Sequence, residues 1–194
     1  MSYKKSARFA LLGCFFMLAS TFFYWRNIYF RISEKTYTGI SFISIARKCF
    51  QMGISARTIV LPILLLLFYA VVGFLIIAAI KDNISKKPFF PKYKKRIRIV
   101  MILATLILVI VMTKAPVFKE SMEQLEAIHL SWKAFIDQSK NTYMENVGEM
   151  FSYYTVGPGF IAYVIGTIFY IFSIGYSFVL DTINEDDDEE MEEE

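Results

Sequence analysis

A single histidine, two cysteines and a body with eight acidic groups against twenty-one cations set the first limits on this chain. One histidine excludes the helical HExxH zinc motif. Two cysteines are too few for a zinc ribbon or a disulfide-stapled scaffold. Cys14 lies in an apolar block and Cys49 in the loop after it. They stand at different depths and read as small apolar filler. Neither a glycine-rich phosphate loop nor a G-x-S-x-G turn occurs, so nucleotide hydrolysis and serine-ester chemistry lack their usual signs. The expectation is a protein without catalytic residues, cofactor or metal. Ten of the eighteen acidic residues fall in Asp181 to Glu194, which leaves the first 180 residues at +13. That basic charge is carried by no DNA-reading motif, so nucleic acid is not an expected partner.

Charge is also missing from long runs. Phe9 to Trp25, Thr58 to Ile80, Ile99 to Thr113 and Met150 to Leu180 contain no Asp, Glu, Lys, Arg or His. At ~1.5 Å rise per residue, the second of these crosses a hydrocarbon core of ~30 Å. Hydrophobic residues make up 56% of the chain, above the ~45 to 50% of soluble domains. The expected fold class is all-α, a polytopic membrane protein of four transmembrane helices at about 9–25, 58–80, 97–117 and 156–180. A disordered acidic tail is expected over 181–194. The first run exceeds a signal-peptide core and lacks a small-x-small cleavage site, so it reads as a retained span with Tyr24 and Trp25 at its far interface. Without Asp, Glu, Lys, Arg or His inside any run, a pump acting as a monomer is disfavoured.

Three connecting segments carry the remaining pattern. Arg26 to Arg57 has strand-like chemistry around RISEKTYTG. A short interfacial helix follows, with Ile40, Ile43, Ala46 and Phe50 on one face. Lys81 to Arg98 is a basic hairpin, in which Lys86, Lys87, Lys92, Lys94, Lys95, Arg96 and Arg98 are candidate contacts for anionic lipid headgroups. Lys114 to Glu149 contains an amphipathic helix at Phe118 to Asp137. Its stripe of Phe118, Met122, Leu125, His129, Trp132 and Ile136 recurs at alternating spacings of four and three. His129 lies on that stripe with no visible metal ligand or substrate group, so it reads as an interfacial histidine. On the last run, Gly159, Ala162, Gly166 and Ser173 form a small face that permits close helix contact. These two surfaces are the candidates for binding a partner or a second copy.

Four spans put both termini on one side. The short middle hairpin concentrates eight cations beside its spans, whereas the outer loops dilute theirs. The positive-inside rule therefore gives cytoplasmic termini and an extracytoplasmic amphipathic helix in a multi-pass cell-membrane protein.

STFFYW at the first exit, TYTGISF in the first loop, the leucine-rich second span, the basic hairpin and VGPGFIAYVIGTIF opening the last span together resemble small, uncharacterised four-span membrane proteins of low-GC Gram-positive bacteria. The resemblance touches most of the chain. It implies architecture and no functional residues, and the longer third loop departs from it. A claudin-like chain would carry paired cysteines and a tryptophan in its first extracellular loop, where only Cys49 is present. The expected function is a non-enzymatic membrane interaction or accessory protein, with a small oligomeric channel or transporter component as the alternative. The expected partners are the lipid bilayer and either a homo-oligomer or another membrane protein.

Overall fold

A computed structural model describes residues 3–31, 35–84, 93–142 and 151–192. Among them are six helices: α1 (Tyr3–Ser20), α2 (Phe42–Gln51), α3 (Ala56–Ile84), α4 (Tyr93–Lys114), α5 (Pro116–Thr142) and α6 (Pro158–Glu192). Three strands, β1 (Arg26–Arg31), β2 (Lys35–Ile40) and β3 (Phe151–Val156), form an antiparallel sheet in the order β2-β1-β3. The expected all-α class is therefore corrected to a mostly helical fold with a small sheet. The strand-like chemistry of the first loop is realised as β1 and β2. β3 comes from the beginning of the last uncharged run.

Three helices are long and apolar enough to cross a membrane among the described residues: Ala56–Asp82, Arg96–Lys114 and Pro158–Ser177. The helix of the first run begins before Phe9 and ends at Ser20, so Trp25 is not its terminus. Near 115 the chain breaks step between α4 and α5, where the expected third span continued to 117. α6 extends through Glu192 and takes in most of the acidic run expected to be a disordered tail.

The chain divides into two compact units. A helical unit comprises residues 1–18, 67–109 and 162–194, and a loop-bearing unit comprises 19–66 and 110–161. Within the helical unit, each helix turns a stripe of alternating four- and three-residue spacing inward, as in helix bundles. Ala7, Ala10, Cys14 and Met17 are the buried stripe of α1. Phe68, Val72, Leu75 and Ala79 play that part on α3, and Ile102, Thr105 and Val109 on α4. α1 and α6 run antiparallel and touch backbone to backbone. A Cβ on Gly13 would stand 2.7 Å from the Gly166 carbonyl oxygen, and one on Gly166 would stand 2.6 Å from that of Gly13. No larger side chain fits this crossing without moving a helix.

In the loop-bearing unit, β1 is the central strand, pairing Arg26 with Ile40 on one side and with Val156 on the other. The first and third loops thus share one sheet. α5 packs against all three strands and against α2. α2 starts at a reciprocal cap: the Ser44 amide donates to Ser41 Oγ at 3.1 Å, and the Ser41 amide donates to Ser44 Oγ at 3.0 Å. It ends before Gly53, whose φ of +86° closes the turn where a side chain would be strained. Its buried face is Phe42, Ile45, Ala46 and Cys49, while Phe50 is 68% exposed. The expected face is thus offset by roughly one residue. The expected face counts from Ile40, which ends β2; counted from the Ser41 cap, the apolar Phe42, Ile45, Ala46 and Cys49 themselves fall on one side of the helix.

Candidate functional site

The loop-bearing unit is organised on one indole. Trp25 is 4% exposed, and its Nε1 donates to the Ser20 carbonyl at 2.7 Å. Its ring lies 4.6 Å from that of Phe42 and 5.8 Å from that of Phe160, and Phe42 continues to Phe118 at 4.8 Å. One aromatic chain therefore joins the exit of α1, the first turns of α2 and α5, and the start of α6. The amides of Gly157 and Gly159 donate to the Trp25 and Tyr24 carbonyls at 2.9 and 2.7 Å. A tryptophan expected at the lipid interface is instead a core residue. Its N–H is satisfied inside, so it has no need of the headgroup layer.

Beside this core is an open cleft of about 780 Å³. Phe22, Phe23 and Pro158 supply an apolar wall, and Ser44, Arg47, Lys48 and Gln51 supply a polar one. The polar wall is the outer face of α2, opposite its buried stripe. Among the described residues, no acidic side chain lines the cleft. The α2 amides nearest its start are already used: Ile43 donates to the Thr21 carbonyl, Ser44 to Ser41 Oγ, and Ile45 to the Ser41 carbonyl. Any attraction for an anion therefore comes from the two cations. On the inner side of the helix, burial pushes the Cys49 thiol above its ordinary pKa, against the opposing effects of a backbone hydrogen bond and the Lys48 charge.

The helical unit places its polar groups along a seam. Ser6 Oγ donates to the Ser173 carbonyl at 2.9 Å and lies 2.8 Å from Ser177 Oγ. Thr105 and Tyr163 hydroxyls meet at 3.2 Å. Asp82 and Arg98 form an ion pair with both side chains 8% exposed. The Tyr170 hydroxyl is buried without a hydrogen-bond partner among the described residues. Among those residues no group of three or more His, Cys, Asp or Glu is placed to hold a metal ion.

The residues singled out from the sequence separate into three fates. On α5, Phe118, Leu125 and Ile136 are buried, and Met122, His129 and Trp132 are half-buried, so the stripe is the helix's inward face. The small residues of α6 are likewise occupied from within the chain. Gly166 meets Gly13 and Met17, Ser173 meets Ser6, Gly159 meets the Ser20 and Phe23 carbonyls, and Ala162 is 8% exposed. Of the hairpin cations, Lys86, Lys87 and Lys92 lie outside the described residues, and Lys94 and Lys95 fall on the first turn of α4. Arg96 is exposed. Arg98 is corrected from a lipid contact to a buried partner of Asp82, because an unpaired guanidinium there would lose its hydration without return.

Two features escaped the sequence. The Asp82–Arg98 pair had one sign, an isolated aspartate within a segment of eight cations. The cleft had none, because its walls are distant until β1, β2 and α2 fold. No protein-family model matches the chain, and neither a curated protein nor a solved structure matches it.

Proposed function

We propose that this is a non-enzymatic accessory protein of the cell membrane that crosses it four times and engages another membrane protein through its loop-bearing unit. The four-span reading is supported by two pairings. β3 on β1 requires the first and third loops to share a side, which two crossings by α3 and α4 provide. The antiparallel contact of α1 with α6 fits α1 as the remaining span, with its aromatic exit at the loop side. Cytoplasmic termini follow from the crowded cations of the middle hairpin.

The observation that carries the interaction reading is on α5. Its inward stripe is occupied, yet Ile128 and Phe135, flanking half-buried Trp132, remain 45% and 49% exposed. The three recur at spacings of four and three, an apolar ridge on a helix otherwise rich in Glu and Lys. Photo-crosslinkers at positions 128 and 135 in native membranes test the reading, together with ion flux in proteoliposomes. A stable hetero-complex without flux is the expected result. A homo-oligomer that conducts ions would overturn it in favour of a channel component.

A further inference from the structure

We infer that the cleft between the exit of α1 and the outer face of α2 holds the headgroup of an anionic phospholipid. Its volume of about 780 Å³ is in the range of small-molecule sites. Arg47 and Lys48 are both exposed on its polar wall, and neither is ion-paired among the described residues. With no carboxylate among the described lining residues, an anion entering the cleft meets the positive charge of Arg47 and Lys48. The facing wall fixes the kind of anion. Phe22 and Phe23 are 64% and 51% exposed and follow directly on α1. Such aromatic rings settle at the boundary between acyl chains and headgroups. A soluble phosphate would use the cations and gain nothing from the rings, whereas a phospholipid satisfies both.

The inference rests on reading α1 as a membrane span that ends near Ser20. It also relocates the anionic-lipid contact from the basic hairpin to the loop side of the chain. Cations beside an anionic surface each strengthen attraction by about fivefold, so the pair is expected to contribute roughly 25-fold.

The test is lipid retention by the full chain. The protein is equilibrated with mixed phosphatidylglycerol and phosphatidylcholine micelles and read by native mass spectrometry. Wild type is expected to retain phosphatidylglycerol preferentially, and R47Q/K48Q to lose that preference by at least tenfold. K133Q, which removes an exposed cation from α5, is the control and is expected to behave as wild type. F22S/F23S is expected to lower retention of long-chain lipid. Millimolar glycerol 1-phosphate is expected to leave the bound lipid in place. Unchanged preference in R47Q/K48Q would overturn the proposal, as would complete displacement by glycerol 1-phosphate, which would identify a soluble-anion site. Circular dichroism and elution volume establish that each variant is folded before its retention is scored. An N-terminal tag found on the same membrane face as α2 would instead remove the four-span reading, a failure separable from the retention result.

Discussion

Each unit of the molecule contains an arginine–carboxylate pair, and the two pairs differ almost only in where they stand. In the helical unit, Arg98 and Asp82 are each 8% exposed. In the loop-bearing unit, Arg57 Nη2 meets Glu120 Oε2 at 2.9 Å with the side chains 62% and 48% exposed. Both join residues far apart in sequence, yet burial makes the first an obligation and exposure leaves the second optional. Water solvates Arg57 or Glu120 if the partner is lost, whereas a lone charge at the buried position of Asp82 or Arg98 has no such recourse. The helical unit therefore fixes its helices through groups that must be paired. The loop-bearing unit keeps Arg47, Lys48 and Arg57 exposed at its surface.

The largest expected effect is at the buried pair. Asp82→Ala leaves Arg98 uncompensated and is expected to cost about 3–5 kcal/mol. The measurement is thermal unfolding in detergent, and a D82N/R98Q double variant should recover part of the loss. Next is the helix crossing. Gly166→Ala drives a Cβ into the Gly13 carbonyl and is expected to cost ~1–3 kcal/mol, with a clear fall in midpoint. Removing the α2 cap by Ser41→Ala should cost about 1 kcal/mol and raise hydrogen exchange across Phe42–Gln51. Arg57→Ala is expected at ~0–1 kcal/mol, near the limit of detection. A loss at Arg57 as large as that at Asp82 would erase the contrast between the units.

Cys49 offers a pH probe of the loop-bearing unit. Its thiol is buried and its folded pKa is raised, so at neutral pH it should alkylate much more slowly than a free thiol and accelerate on alkaline shift. The sign of the linkage follows. A raised folded pKa means that the stability from keeping the thiol neutral is fully present below the ordinary thiol range, then falls as pH rises through it.

What the sequence made legible was whatever repeats locally. The uncharged run at Thr58 to Ile80 marks α3 because composition alone makes it long and apolar enough to cross a membrane. Phe118 to Ile136 marks the inward face of α5 because six residues keep one spacing over more than four turns. The sheet was only half legible. β1 and β2 stand among polar turn residues, but β3 is FSYYTV inside an uncharged run, where it merges with the approach to α6. The partners of the small face on α6 were illegible for another reason. Gly166 announces close packing, but not that its partner is Gly13 of the same chain. Asp82 and Arg98 are opposed only once α3 and α4 come together, and the cleft exists only once α2 is seated by Phe42 on Trp25.

The most direct measurement is the sidedness of three positions in intact cells, with Cys14 and Cys49 replaced by alanine. An impermeant maleimide is applied to Gln51→Cys on α2 and Glu126→Cys on α5, and an N-terminal tag is probed by antibody. Four spans with both loops on the outer face predict that both cysteines label without permeabilisation, while the tag is reached only after it. Labelling of Gln51→Cys and Glu126→Cys from opposite faces, or exposure of the tag on the same face as both, would contradict the account.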